Sequence, residues 1–195
     1  MLPTEFEAKY LNIDKEAMRV KLKNIDATLV RPTFLQKRVV LGLPSGHEIK
    51  GGRFRVRDEG DKITLSLKVV DKAGINIDSQ KEISFAVSDF DKTVLLLTSI
   101  GCQKKAYQEN KRELWKLGQV EVTIDEWPFL DPYVEIEGES EEEVIEVSKT
   151  LGFDYNQALF CSAGKVYMDT YNLSGEVVDV KIAHLVFNME NPFLE

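Results

Sequence analysis

Residues 4–11 read Thr-Glu-Phe-Glu-Ala-Lys-Tyr-Leu, and charged and apolar side chains alternate along this segment. Successive side chains of a β-strand point to opposite faces, so Glu5, Glu7 and Lys9 would share one face of a strand. The apolar side chains between them would share the other face. This alternation predicts a half-buried β-strand at the start of the chain.

Four later segments separate charged or polar side chains from apolar ones in the same way. Their charged or polar positions are Arg53, Arg55 and Arg57; Thr64, Ser66 and Lys68; Glu121, Thr123 and Asp125; and Glu135 and Glu137. In total, nine segments are candidate strands: 4–11, 27–31, 34–41, 52–58, 62–70, 75–86, 103–115, 119–126 and 131–138. Because short links join consecutive strands, we expect an antiparallel sheet, and so many strands in one domain favour a strongly curved sheet or a barrel.

Capping residues followed by helical spacing predict three helices. They begin at Asp14, Ser88 and Ser140, which are residue types that cap helix N-termini. Each helix would bury an apolar stripe, and the apolar face of the sheet is the surface available to cover it. Beyond the third helix, the pattern of residues 154–173 is partly helical, and residues 176–187 fit either a strand or an arm packed on the domain.

Composition excludes several classes of protein. The 195 residues have a formal net charge of −8 and 43% hydrophobic residues, which is typical of an ordinary globular domain and unfavourable for binding nucleic acid or an anionic membrane. Two cysteines and two histidines provide neither a disulfide framework nor a zinc motif. The first residues lack the features of a signal peptide, so we expect a cytoplasmic protein with no membrane partner.

The charged face of the predicted sheet places like charges two residues apart, as at Glu5 and Glu7 or at Arg55 and Arg57. Such neighbours repel one another unless an opposite charge lies between them. Clustered carboxylates suit a hard divalent cation, and clustered arginines suit phosphates. A site for a metal-bound polyphosphate would explain both, whereas a merely solvated sheet face remains the simpler alternative.

Seven short motifs follow one another in a characteristic order. They are Glu5-Phe6-Glu7-Ala8-Lys9, Phe54-Arg55-Val56-Arg57, Leu65-Ser66-Leu67-Lys68, Lys81-Glu82, Lys111-Arg112-Glu113-Leu114-Trp115, Val122-Thr123-Ile124-Asp125 and Tyr133-Val134-Glu135-Ile136-Glu137-Gly138. Together they resemble the CYTH family, also called triphosphate tunnel metalloenzymes, whose signature ExExK the first motif matches. The resemblance implies an α+β fold in which eight antiparallel strands close into a barrel, the tunnel, with helices packed outside.

The resemblance also implies roles for individual residues. The phosphate chain would be held by Lys9, Arg55, Arg57, Lys68, Arg112 and Lys165. One or two Mg²⁺ or Mn²⁺ ions would be held by Glu5, Glu7, Asp125, Glu135 and Glu137, with Glu82 as an additional candidate. Glu5, Glu7 and Lys9 are the implied catalytic residues. Arg53 and Glu121 share the face of these residues but lie outside the family pattern.

The expected tunnel domain spans residues 1–175. For the C-terminal extension, residues 176–195, two roles stay open, namely plugging one tunnel mouth or forming a homodimer contact.

The implied function is metal-dependent hydrolysis of inorganic triphosphate, thiamine triphosphate or a nucleoside triphosphate. One family branch, the class IV adenylyl cyclases, instead converts ATP to cyclic AMP. Cyclase-like members carry an aromatic motif with an aspartate where this chain reads Gln36-Lys37-Arg38-Val39-Val40, so the hydrolase is favoured. A non-catalytic polyphosphate- or nucleotide-binding module is a further alternative, although every carboxylate of the family pattern is present.

Overall fold

Eight antiparallel strands form a closed ring in the computed structural model, which describes residues 2–70 and 76–194. They are β1 (Thr4–Tyr10), β2 (Thr28–Leu41), β3 (Gly52–Asp58), β4 (Ile63–Val70), β5 (Gln80–Val87), β6 (Lys104–Leu117), β7 (Val120–Glu126) and β8 (Tyr133–Gly138). The strand order is β2-β3-β4-β5-β1-β8-β7-β6, and pairing of β2 with β6 closes the ring. The predicted α+β fold with a closed eight-stranded antiparallel barrel is therefore confirmed.

Two predicted strands, 27–31 and 34–41, form the single strand β2. Its pairing with β6 continues past Pro32 through register shifts between Leu29 and Arg31 and between Arg31 and Phe34. Proline has no N–H to donate, and a bulge accommodates it without ending the strand. The predicted strand 75–86 begins later than expected because residues Ile77–Ser79 form a 3₁₀ turn before β5, and residue 75 lies outside the described residues.

Helices pack on the outer face and at one end of the ring. They are α1 (Lys15–Asn24), α2 (Phe90–Ser99), α3 (Glu141–Thr150), α4 (Ala163–Tyr171) and α5 (Gly175–Lys181). Asp14 and Ser140 cap α1 and α3 as predicted, since their side chains accept hydrogen bonds from the N–H groups of Ala17 and Glu143. The predicted cap of α2 at Ser88 is wrong by one residue. Asp89 accepts the bond from Lys92 N at 2.8 Å.

The hydrophobic core lies around the ring in three clusters. The first is formed mainly by outward side chains of β1, β7 and β8 with α1 and α3, and includes Ala8, Leu22, Val122, Val134, Ile136 and Val144. The second joins β2 and β3 to α2 through Val39, Leu41, Val56, Val94, Leu97 and Cys102. The third contains Trp127, Tyr133, Tyr167, Val178, Leu185 and Phe193. Because apolar side chains point outward, the polar side chains of the same strands face the interior.

The C-terminal segment, residues 161–193, packs against one end of the ring. Tyr167 Oη donates to Pro128 O at 2.6 Å, and Gln108 Nε2 donates to Ile182 O at 2.9 Å. Helix α5 is followed by a two-residue strand, β9 (His184–Leu185), which pairs in parallel with β6. The segment predicted as either a strand or an arm is thus a short helix followed by a short strand. No helix in the described part of the chain is long and apolar enough to cross a membrane.

Candidate active site

The ring encloses a cavity of about 880 Å³, a volume in the range of small-molecule sites. The cationic side chains that line it are Lys9, Arg38, Arg53, Arg55, Arg57, Lys62, Lys68, Lys105 and Arg112. The acidic ones are Glu5, Glu7, Glu59, Glu82, Glu121, Glu135, Glu137 and Asp179. The cavity therefore brings together most residues that the motifs predicted, and also Arg53 and Glu121, which strand alternation alone placed on the same face.

Strands that carry carboxylates and strands that carry cationic side chains occupy different halves of the ring. Strands β5, β1, β8 and β7 are consecutive and supply the strand carboxylates, whereas β6, β2, β3 and β4 are consecutive and supply the arginines and Lys68. We call these the acidic half and the cationic half. Lys9 on β1 is a cation within the acidic half. A ligand in the cavity would thus meet carboxylates on one side and guanidinium groups on the other.

Two buried lysines lie among the carboxylates. Lys68, 6% exposed, places Nζ 2.5 Å from Glu5 Oε2 and 3.7 Å from Glu82 Oε2. Lys9, 3% exposed, pairs with Glu7 and lies 3.2 Å from Glu135 Oε1. A buried charge without a partner is strongly destabilising, so these pairs let the strands bring their charges inside.

Three carboxylates form the tightest acidic cluster among the described residues. One oxygen from each of Glu5, Glu7 and Glu137 lies within 4.8 Å of the others, and Glu7 faces Glu137 across the β1–β8 pairing. Burial, with the neighbouring charge of Glu5, raises the pKa of Glu137 to about 7. Clustered carboxylate oxygens are the ligands of hard divalent cations, so this donor set fits Mg²⁺ or Mn²⁺.

Asp125, predicted as a metal ligand, has a different environment. It is 0% exposed and lies behind the cavity wall, where Oδ1 accepts from Asn110 Nδ2 and Arg112 Nε, each at 2.9 Å. Its Oδ2 accepts from Arg112 Nη2 at 2.8 Å and from Thr123 Oγ1 at 2.7 Å. Both oxygens are therefore occupied in this structure, where Asp125 holds Arg112, and its predicted role as a metal ligand stays a prediction.

Glu135, also predicted as a metal ligand, lines the cavity but is shared by two cations. Its carboxylate accepts from Arg112 Nη2 at 2.5 Å and pairs with Lys9. Burial opposes its ionisation, but the charges of Lys9 and Arg112 outweigh burial and hold the pKa of Glu135 well below its ordinary range. Glu135 is therefore a stable anion beside the acidic cluster.

The arginines of the cationic half are incompletely neutralised. Arg55 Nη2 lies 2.6 Å from Glu82 Oε1, whereas Arg57 Nε reaches Glu59 Oε1 only at 3.7 Å. Burial, together with the charges of Arg55 and Arg112, lowers the pKa of Arg57 to about 10. A bound anion would relieve this repulsion, because phosphate oxygens accept paired N–H bonds from guanidinium.

Lys165 does not join the other predicted residues. It lies on α4, 47% exposed, and pairs with Asp169 one helical turn later. Helix α4 turns Gly164 and Tyr167 toward the cavity, and the 3.6-residue period then directs Lys165 elsewhere. Lys165 is therefore not among the residues that line the cavity, and its predicted contact with the phosphate chain stays a prediction.

Two cavity residues on β2, Gln36 and Arg38, were missed by the motif comparison. They share a face with Phe34 and Val40, and all four line the cavity. Period-two alternation over residues 34–40 was the available signal. This face also carries Phe34 and Val40, so β2 lacks the uniformly charged or polar face that marked the other site strands.

The CYTH domain model matches residues 3–166. No curated protein matches the chain. Among solved structures, a conserved hypothetical protein from Pyrococcus furiosus is 24% identical with a TM-score of 0.64, over 80% of this chain and 94% of that one.

Two further solved structures share the fold. A candidate adenylate cyclase from Vibrio parahaemolyticus is 12% identical with a TM-score of 0.72, over 86% of this chain and 99% of that one. A candidate adenylyl cyclase from Hippeastrum, described as having a dominant triphosphatase activity, is 16% identical with a TM-score of 0.54, over 88% of this chain and 99% of that one. At these identities the likeness is one of fold.

Proposed function

The chain belongs to the CYTH family, and from this membership we propose that it is a divalent-metal-dependent phosphohydrolase acting on a triphosphate. The proposed substrates are small molecules: inorganic triphosphate, thiamine triphosphate or a nucleoside triphosphate. The division of one enclosed cavity into an acidic half and a cationic half carries the proposal. A metal-bound triphosphate requires both carboxylates for the metal and guanidinium groups for the phosphates.

Glu5, Glu7 and Glu137 would hold the ion, Mg²⁺ or Mn²⁺. This assignment is supported by the close approach of their oxygens, which all lie within 4.8 Å of one another. When bound, such an ion neutralises charge on phosphate oxygens and lowers the pKa of a coordinated water. Asp125 would act indirectly, because both of its oxygens already accept hydrogen bonds. Glu135 pairs with Arg112 and Lys9, much as Glu7 pairs with Lys9, and stays a candidate ligand.

Arg55, Arg57 and Arg112 would bind the phosphate oxygens. Phosphoryl transfer depends on positioning and charge neutralisation more than on a covalent partner, and strand side chains in a closed ring are well positioned for both. During hydrolysis a water oxygen bonds to phosphorus as the bond to the bridging oxygen breaks. The arginines would stabilise the negative charge that builds on the departing phosphate.

The proposed location is the cytoplasm, with no nucleic acid or membrane partner. Both cysteines, Cys102 and Cys161, are free and buried, which suits a reducing compartment. The net charge of −8 opposes association with nucleic acid or an anionic membrane.

The deciding experiment separates reaction products by chromatography. The protein is incubated with Mg²⁺ or Mn²⁺ and, in separate reactions, with inorganic triphosphate, thiamine triphosphate and ATP. We expect orthophosphate and the corresponding diphosphate. Cyclic AMP with pyrophosphate would instead identify a cyclase, and absence of turnover with all three substrates would identify a binding module.

The variant Glu7→Gln, which removes one charge from the acidic cluster, should lose turnover by at least about a hundredfold, the order expected when a charged catalytic group is removed. The matched control is Glu146→Gln, on the exposed surface of α3, and it should retain full activity. Equal activity of the two variants would contradict the proposed site.

A further inference from the structure

Arg38 lies inside the ring, and within residues 2–70 and 76–194 no carboxylate forms an ion pair with it. It is 7% exposed and lines the cavity. Its Nη2 donates to Gln36 Oε1 at 3.1 Å and also to Asn110 Oδ1, and both partners are neutral amides. Among the described residues, no group accepts a hydrogen bond from its Nε.

This environment differs from that of the other buried cations. Lys9, Lys68, Arg55 and Arg112 each contact at least one carboxylate. Arg38 instead faces another cation, because Arg57 is its register partner on β3. Burial, followed by the charges of Arg57, Arg55 and Arg112, lowers the pKa of Arg38 well below its ordinary range. A buried guanidinium among like charges is unfavourable unless an anion joins it.

Two further donors without acceptors belong to side chains that line the same cavity as Arg38. Tyr133 Oη and Trp127 Nε1 are buried and, within residues 2–70 and 76–194, have no hydrogen-bond partner. Both side chains line the cavity, and the Arg38 guanidinium carbon lies 4.5 Å from the centroid of the Trp127 ring. Buried polar groups are normally satisfied, so several unsatisfied donors around one cation indicate a missing acceptor.

We propose that Arg38 and Tyr133 form an anion subsite that takes one phosphate group of the triphosphate chain, at the end of the cavity bordered by α4 and α5. This inference rests on the proposed function and adds two residues that lie outside the family motifs. A phosphate oxygen only accepts hydrogen bonds, and it would satisfy both the guanidinium N–H and the phenol O–H. Gln36 and Asn110 are positioning residues, since both accept hydrogen bonds from Nη2 of the guanidinium and neither accepts one from its Nε.

The test is calorimetric titration of tripolyphosphate and, separately, orthophosphate, without divalent metal so that no turnover is expected. Arg38→Met should weaken tripolyphosphate binding about tenfold to a hundredfold, the order expected for a lost charge-assisted hydrogen bond. The matched control is Lys37→Met, which removes a cation from the exposed outer face of the same strand and should leave binding unchanged.

Tyr133→Phe provides a second variant with little risk to the fold. Its hydroxyl has no partner in the structure, so the melting temperature should not fall, whereas tripolyphosphate binding should weaken about threefold to tenfold. Unchanged tripolyphosphate binding in both variants would overturn the subsite. A loss confined to orthophosphate would also overturn it, because the site would then bind a free phosphate ion and not the substrate chain.

Arg55→Met separates failure of this subsite from failure of the proposed function. If Arg55→Met weakens tripolyphosphate binding and the Arg38 and Tyr133 variants do not, the subsite is wrong and the triphosphate cavity remains. If tripolyphosphate does not bind even to the unmodified protein, the proposed function itself is wrong.

Discussion

At the level of single residues, Asp125 and Glu7 are both buried carboxylates, but their partners differ. Asp125 uses both oxygens to hold Arg112, Asn110 and Thr123. Glu7 lies in the carboxylate cluster with Glu5 and Glu137. The two residues should therefore respond differently to removal of their charge.

We predict that Asp125→Asn leaves Mg²⁺ or Mn²⁺ affinity within about threefold of the original value, well below the tenfold that 1.4 kcal/mol would produce. The same substitution should lower the free energy of unfolding by about 3–5 kcal/mol, because it leaves Arg112 with a weakened buried partner. Metal titration by calorimetry and urea unfolding measure the two effects. Glu7→Gln is the comparison, and an equal loss of metal affinity in both variants would restore Asp125 as a ligand.

The environment of Glu82 makes the stability of the protein depend on pH in the acid range. Burial opposes its ionisation, but Arg55, Lys68 and Arg57 outweigh burial and lower the pKa of Glu82 from 4.5 to about 2. Since the folded-state pKa is depressed, its stabilising contribution is present above pH 4.5 and is lost as the pH falls toward 2. By linkage that contribution is on the order of 3 kcal/mol.

Unfolding by urea between pH 2 and pH 7 measures this contribution. Glu82→Gln should be less stable than the original protein at pH 7 and should show a flatter dependence on pH in the acid range. Glu146→Gln is the control on the surface, and parallel pH profiles for all three proteins would contradict the prediction.

Individual site residues were predictable where one strand face was uniformly charged. Alternation was enough for Arg53 and Glu121, which no motif supplied. It was not enough for Arg38, because its face of β2 also carries Phe34 and Val40. The hydrogen-bond partners of Asp125 could not be predicted from the sequence, because they depend on which strands lie next to each other in the sheet.

At the level of elements, the start of α2 offers a direct test of a cap. Asp89→Ala should lower the free energy of unfolding by about 1 kcal/mol, because the N–H of Lys92 loses its acceptor. Ser88→Ala, one residue earlier and exposed, should have no measurable effect. Thermal unfolding of the two variants distinguishes the caps, and the reverse order of stability would show that the helix begins at Ser88.

Strands and long helices were predictable because their periods repeat over several turns or residues. Strand β2 was not predicted as one element, since Pro32 interrupts the pattern while bulges let its pairing with β6 continue. The C-terminal elements were too short for periodicity, as α5 has seven residues and β9 has two. Their conformation is determined by contacts with the ring, such as the bond from Gln108 to Ile182 O.

At the level of the whole molecule, charge is distributed unevenly between interior and exterior. The chain has 25 basic and 33 acidic residues, yet the cavity is lined by nine basic and eight acidic ones. The surplus of negative charge therefore lies outside the cavity. Attraction for an anion is concentrated within the ring, where burial also reduces screening by salt.

Binding should consequently stabilise the whole fold. At a hundredfold excess over Kd, and without divalent metal so that the ligand is not hydrolysed, tripolyphosphate should add about 2.7 kcal/mol to the free energy of unfolding. For a chain of 195 residues this corresponds to a rise in melting temperature of about 5–10 °C. Differential scanning fluorimetry measures the rise, with sodium sulfate at equal ionic strength as the control. An equal rise in sulfate would indicate a solvated charged face without a specific site.

The position of the third apolar cluster, at one end of the ring, has a consequence for local unfolding. The third cluster and a few hydrogen bonds attach the C-terminal segment, whereas strand amides are bonded on both sides around the closed ring. Amide hydrogen exchange should therefore be faster in α4 and α5 than in the central strands. The end of the cavity that these helices border would then open while the ring stays intact. The rate at which ligands enter and leave the cavity would therefore depend on the stability of the C-terminal segment.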